Sequence, residues 1–186
     1  MQVTPLAIPE VILVVPKRFG DARGWFMETY ARERYRDAGI AADFVQDNHS
    51  LSGPVGTVRG LHFQKPPHAQ AKLIRVLRGR ILDVAVDVRE GSPTYGRHVT
   101  AWLSAEGGEQ LYVPAGFAHG FCTVEPDTEV AYKVDALYAP SHDAGLLWND
   151  PALGIDWPVA PHAATVSDKD MKLPRLADIG VPFPAA

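Results

Sequence analysis

The sequence predicts an all-β protein, a sandwich or small barrel of short strands, and three observations carry that prediction. Sixteen glycines and sixteen prolines are scattered along 186 residues, which punctuates the chain too often for long helices. Between these breaks, short strand-like runs recur at the spacing of a sandwich or barrel. Only one stretch reads as helix.

In chain order, residues 11–15 (VILVV) and 24–29 (GWFMET) are the first candidate strands. Residues 31–38 (ARERYRDA) interleave Arg and Glu with apolar positions and read as a short helix decorating the barrel. Strand character resumes at 58–63. Residues 72–77 and 81–88 flank Arg78-Gly79-Arg80 and predict a hairpin. Within the second of these, Leu82, Val84, Val86 and Val88 alternate with Asp83, Ala85 and Asp87. One face is therefore apolar and the other carries carboxylates, which points to a site there. Further strands are expected at 98–103, 110–113, 120–124 and 129–137. After Pro140 the pattern dissolves into Pro, Gly, Asp and Trp, an ordered flap followed by a looser Pro-rich tail over 174–186. The whole is expected to form one domain, 1–186.

Charge and cysteine usage narrow the function. Lys plus Arg number 18 against 22 Asp plus Glu, a net charge of −4, so no whole-molecule positive field exists to hold nucleic acid or an acidic membrane. An anionic ligand needs a local basic cluster instead. The single Cys122 lies in an apolar strand context, reads as a buried residue, and has no partner for an internal disulfide. Residues 1–15 lack the basic start and apolar run of a signal peptide, and no stretch approaches the roughly 20 apolar residues of a membrane span. A soluble, cytoplasmic protein is the expectation.

Nucleotide-fold and hydrolase signatures are absent: there is no G-x-G-x-x-G after a strand, no G-x-x-x-x-G-K-[ST], no G-x-S-x-G and no paired C-x-x-C. Residues 56–62 (GTVRGLH) and 114–119 (PAGFAH) resemble the paired motifs of the cupin barrel. Metal-binding cupins continue with a second histidine and a glutamate, whereas here the order is His62-Phe63-Gln64. Two histidines, His62 and His119, fall short of the three or four ligands of a tight site, so a barrel without metal is expected.

Read together, further segments become specific: FGDARG at 19–24, QDNHS at 46–50, RGLHFQ at 59–64, KLIRV at 72–76, Tyr132-Lys133, WND at 148–150 and SDKD at 167–170. The chain resembles the dTDP-4-dehydrorhamnose 3,5-epimerase family from about residue 19 to residue 170. The resemblance implies a cupin-type jelly-roll barrel or sandwich with a few short peripheral helices. It also implies a homodimer with shared active sites, in which the segment carrying Arg23 and Glu28 reaches the partner. The implied reaction inverts C3 and C5 of dTDP-4-dehydro-6-deoxy-D-glucose, without a cofactor, to give dTDP-4-dehydro-L-rhamnose.

That chemistry makes definite demands. A ketone at C4 acidifies the C–H bonds at C3 and C5, so each inversion needs a base on one ring face, an acid on the other, and a group to stabilise the enolate. In a gluco-configured ring both hydrogens lie on one face, so a single base and acid suffice. An imidazole is largely neutral at cytosolic pH, which suits His62 to the base. A phenol holds its proton there, which suits Tyr132 to the acid. Lys72 shares strand parity with Ile74 and Val76, and its ammonium is expected inside the barrel near the enolate oxygen. By resemblance, Asp170 hydrogen-bonds His62 and fixes its tautomer, and Arg23, Arg59 and Lys169 hold the diphosphate. Phe26, Glu28, Gln46, Asn48, Gln64 and His119 match positions that bind nucleotide or sugar, and Tyr138 matches the aromatic that stacks on thymine. Asp143 stands where the family commonly has a glutamate and keeps the carboxylate at shorter reach. Asp83 is expected to orient either His62 or His119.

Taken singly, each of these residues has a bland alternative: a structural histidine, a core tyrosine, a solvated surface charge. The competing functions are an epimerase acting at C3 or C5 only, a metal-dependent cupin enzyme, and a non-catalytic nucleotide-sugar binding module. A mere binder has no use for His62, Tyr132 and Asp170 together.

Overall fold

The computed structural model describes residues 1–184. The strands are β1 (Gln2–Pro5), β2 (Ile12–Val15), β3 (Arg18–Asp21), β4 (Gly24–Met27), β5 (Gln46–Ser52), β6 (Val58–Gln64) and β7 (Lys72–Arg78), then β8 (Arg80–Asp87), β9 (His98–Ser104), β10 (Gln110–Val113), β11 (Phe117–Thr123), β12 (Thr128–Val134) and β13 (Asp143–Gly145). The expected helix is α1 (Arg32–Asp37), and short 3-10 turns follow Pro140. A six-stranded sheet, β1-β2-β10-β7-β12-β5, faces a five-stranded sheet, β13-β6-β11-β8-β9, while β3 and β4 pair only with each other. This is the all-β jelly-roll sandwich that the sequence predicts.

The core lies between the sheets. Ile74, Val76, Leu111 and Val130 from one wall meet Ile81, Ala85, Leu103 and Phe121 from the other, all buried. Alternation along β8 then has a clear meaning: Asp83 and Ala85 point into the sandwich, and Leu82, Val84 and Val86 point out of it. That outer face is also dry. Leu146, Leu153, Trp157, Leu176, Ile179 and Phe183 cover it.

The cover revises the reading of the Pro-rich segment as a loose tail. Leu147 N–H donates to the Pro174 carbonyl at 2.7 Å, Glu90 N–H donates to the Phe183 carbonyl at 2.9 Å, and the Phe183 ring packs on Phe63. The segment is seated as far as Phe183; Ala185 and Ala186 lie outside the described residues. A second revision concerns the expected hairpin. β7 and β8 are strands joined at Gly79, but β7 lies between β10 and β12 and β8 between β11 and β9. Both flanks of each strand are taken, so the chain crosses between sheets there.

β5 escaped the hydrophobic pattern because it borders the site. Gln46, Asn48 and Ser50 are half-buried, while Asp47, His49 and Leu51 alternate outward. A strand whose inner face lines a polar cavity carries no apolar stripe.

Candidate active site

The centre of the site is the pairing of β6 with β11, where His62 and His119 stand in register. Directly opposed residues of an antiparallel pair share a face, so both imidazoles point into the sandwich. The strands approach closely because of two glycines. A Cβ on Gly60 would stand 2.6 Å from the Gly120 Cα and 2.8 Å from the His119 carbonyl, and Gly60 has φ of +125°. Gly120 is equally confined, with the Arg59 carbonyl 2.7 Å from where a Cβ would lie. Between His119 and Phe121 the register shifts by a bulge, a device that re-aims side chains beside active sites.

Each histidine holds a buried carboxylate. His62 Nε2 lies 2.8 Å from Asp170 Oδ1, and the other Asp170 oxygen accepts the Gly60 N–H at 3.2 Å. Burial pushes the Asp170 carboxyl up, but the His62 hydrogen bond and charge, with the Gly60 N–H, outweigh it and hold the group below the usual range. His119 Nε2 lies 2.5 Å from Asp83 Oδ1. Asp83 therefore orients His119 and not His62. Burial, reinforced by Lys72 and His62 and opposed by Asp83, keeps the His119 imidazole below its ordinary range. Asp87, the other carboxylate expected on this face, is tied to Arg89, Ser92 and Thr94 away from the cavity.

Lys72 opens β7 and is buried, with its Nζ donating to the His62 carbonyl at 3.1 Å. Burial lowers its pKa to about 8 against the opposing charges of Asp83 and Asp143. Tyr132 comes from the facing sheet, on β12, in register with Ile74 and Asn48. Burial, with Asp143 adding and Arg59 opposing, raises its phenol above the ordinary range. His62 and Tyr132 thus stand on opposite sheets and line one cavity of about 530 Å³, with Arg59, Lys72, His119, Lys169 and Asp170. That volume suits a drug-sized ligand.

An adjoining recess is lined by Gln46, Asn48, Gln64, Tyr138 and Asp143 and shares His62, Lys72, Tyr132 and Lys169 with the larger cavity. Asp143 accepts from Lys169 Nζ and, at 3.4 Å, from the Tyr138 hydroxyl, so its shorter side chain holds both residues at the recess. Gln46 donates to Asn48 Oδ1 at 2.9 Å and accepts the Tyr138 N–H at 3.1 Å. The Gln64 amide is engaged with the backbone of His68, Leu137 and Ala139, which makes it a holder of the loop that carries Tyr138. Arg59 is fixed by the Ser52 hydroxyl at 3.0 Å and the Leu51 carbonyl at 2.9 Å.

Three predicted residues stand apart. Arg23 pairs with Asp21 at 2.7 Å, Glu28 pairs with Arg34 at 3.0 Å, and Phe26 is 70% exposed; none lines the cavity within one chain. In exchange, the cavity includes Ser50, Thr165 and Ser167, which sequence reasoning did not single out. Ser167 opens the SDKD segment and its hydroxyl accepts the Asp170 N–H at 3.1 Å. Cys122 is buried and its thiol is pushed up to about 11 by burial, the inert state expected of it. Among the described residues, no three His, Cys, Asp or Glu side chains gather as a metal cluster, and no helix is long and apolar enough to cross a membrane.

Comparison with known proteins places the chain among relatives of one family. A family model described as dTDP-4-dehydrorhamnose 3,5-epimerase matches residues 5–178. The protein of that name from Sinorhizobium fredii is 53% identical over 178 residues, covering 96% of this chain and 91% of the relative. The crystal structure of the dTDP-6-deoxy-D-glucose-3,5-epimerase of Legionella pneumophila, in complex with dTDP-4-keto-L-rhamnose, superposes with a TM-score of 0.93 at 40% identity, covering 100% of this chain and 99% of that one. A 3'-monoepimerase from Streptomyces bikiniensis, in complex with dTDP-quinovose, matches with a TM-score of 0.88 at 34% identity over 97% of this chain and 92% of that one. With the family model spanning nearly the whole chain and relatives this similar, the chain belongs to the dTDP-4-dehydrorhamnose 3,5-epimerase family.

Proposed function

We propose that the protein inverts C3 and C5 of dTDP-4-dehydro-6-deoxy-D-glucose, giving dTDP-4-dehydro-L-rhamnose. The observation that carries the reading is the cavity with an imidazole on one sheet, paired with the carboxylate of a strap that crosses it, and a tyrosine on the facing sheet. With Nε2 bonded to Asp170, His62 has Nδ1 left for the substrate. This nitrogen takes the proton from carbon, and the electron pair of the C–H bond moves into the enolate at C4. The Lys72 ammonium stabilises the enolate oxygen. The Tyr132 hydroxyl then gives a proton to the opposite face of the same carbon; before the second carbon reacts, His62 releases its proton to solvent and the Tyr132 phenolate takes one up from solvent.

Arg59 and Lys169 supply positive charge for the diphosphate, and Tyr138 supplies a ring for the base. Arg23, Phe26 and Glu28 reach the site of a second copy. The support is that β3 and β4 pair with neither main sheet and leave Phe19, Trp25 and Phe26 more than half exposed. We assign a homodimer acting in the cytoplasm on a nucleotide-activated sugar.

The similarity to a 3'-monoepimerase favours single inversion as the second reading. Proton NMR of the keto-sugar nucleotide in D₂O, after treatment of the protein with a chelator, separates the two. Deuterium at both carbons is the expected result. Exchange at one carbon selects the mono-epimerase, exchange that is lost on chelation selects a metal enzyme, and none at either overturns this substrate.

A further inference from the structure

The Asp170 carboxylate does not come from either main sheet. It rides on a strap, residues 165–176, that runs across β6, and its position depends on how the strap is anchored. At the leading end, Thr165 exchanges hydrogen bonds with the start of β6: Val58 N–H donates to the Thr165 carbonyl at 2.9 Å and Thr165 N–H to the Gly56 carbonyl at 3.0 Å. At the trailing end, Leu147 N–H donates to the Pro174 carbonyl at 2.7 Å. The last tie is a side chain. Asp150 is buried, its Oδ1 accepts the Ala152 N–H at 3.1 Å, and its Oδ2 accepts the Leu176 N–H at 2.8 Å.

Between those anchors the strap is pressed onto the sheet. A Cβ on Gly145 would lie 2.8 Å from a Leu173 methyl, so Leu173 sits where only glycine leaves room on β13. The 3-10 turn at Asp170–Lys172 is thereby held over Gly60 and His62. Asp150 itself lines neither the cavity nor the recess. Its two hydrogen bonds join the turn just after it, at Ala152, to the end of the strap, at Leu176, so the carboxylate sets where the strap ends.

We infer that Asp150 is a positioning residue for the His62–Asp170 pair, acting through the strap that it clamps at Leu176. The inference rests on the reading of that pair as the proton-transfer machinery. A carboxylate displaced by an ångström leaves the imidazole free to rotate, and misplacement on that scale costs up to about 10²-fold in rate. Lys169 rides on the same strap, so substrate affinity moves in the same direction.

A double-mutant cycle tests this, with kcat and KM measured for wild type, Asp150→Asn, Asp170→Asn and the double variant, and thermal unfolding followed for each. Asp150→Asn keeps the shape and removes one of the two charged acceptors, and it is expected to lower kcat by about tenfold in folded protein. If Asp150 acts through Asp170, adding Asp150→Asn to Asp170→Asn costs less than about twofold further. A general loss of structure would instead reduce kcat by the same factor in both backgrounds. Unchanged turnover in Asp150→Asn, or a full further loss in the double variant, overturns the inference. Intact turnover in Asp170→Asn alone overturns the reading of the pair beneath it. Should Asp150→Asn not fold, Asp150→Ser keeps an acceptor for Ala152 but cannot hold both donors, and the same cycle decides.

Discussion

His62 and His119 stand opposite each other across β6 and β11, and each is bonded through Nε2 to a different buried carboxylate. Their environments differ in one respect that matters. The His62 side chain is 32% exposed and opens on the cavity, whereas that of His119 is 7% exposed and held neutral by burial. On the proposed reaction, this difference assigns proton transfer to His62 and a fixed polar contact to His119. His62→Ala is expected to reduce kcat by about 10²- to 10⁴-fold, and His119→Gln to act mainly on KM. Equal losses of kcat in the two variants would refute this division.

On the proposed reaction, Lys72 is expected to set an alkaline limit. Burial lowers its pKa to about 8, and the charged form is the one that stabilises an enolate oxygen. Turnover is expected to fall as pH rises through about 8 and Lys72 loses its proton; the Tyr132 phenol, raised by burial, still holds its own there and does not contribute to that limb. Lys72→Met should lower the rate at neutral pH and remove that limb. A wild-type rate that stays flat well into the alkaline range contradicts the assignment.

Gly60 is required by space and by backbone. Its φ is +125°, and a Cβ there would meet the Gly120 Cα at 2.6 Å, which leaves no room for alanine. Strained backbone alone costs of order 1–3 kcal/mol, and the steric clash adds to it. Gly60→Ala should therefore lose about 3 kcal/mol or more in urea unfolding. A loss below about 1 kcal/mol would show that the strands can part without cost.

Asp87 ties acid stability to the loop after β8. Burial pushes its carboxyl up, but hydrogen bonds from Arg89, Ser92 and Thr94 prevail and hold it down to about 2. The folded value lies below the unfolded one, so the stabilisation is complete above the unfolded carboxylate range and is lost as pH falls from about 4 towards 2. Its size is about 2 kcal/mol. Urea unfolding of wild type and Asp87→Asn at neutral and acidic pH should show the gap between them closing in that window. A constant gap would place the acid sensitivity elsewhere.

The proposed sharing of sites has a stoichiometric signature. In a two-fold dimer where Arg23 serves the partner's site, mixing inactive His62→Ala and Arg23→Ala chains rebuilds one intact site in each mixed dimer. Random reassociation should restore about a quarter of wild-type activity. No recovery, in a mixture shown to exchange subunits, means that Arg23 acts on its own chain or not at all.

Strand parity at residues 72–77 and 81–88, the helix at 31–38, and the motif around Arg59 and His62 are legible in the chain before it folds. These follow from period and local chemistry, which a chain carries wherever it goes. Which residues meet across the fold is a different matter. Spacing along the chain is silent on the pairing of His62 with Asp170 across a separation of 108 positions, on the choice of His119 by Asp83, and on β7 and β8 joining different sheets. The Pro-rich segment looks loose in sequence because its apolar residues have no period. It is seated because Leu176, Ile179 and Phe183 cover the outer face of β8. Pairing is a competition among all strands for flanks and among all polar groups for partners, and it is resolved only when the sheets close on one another.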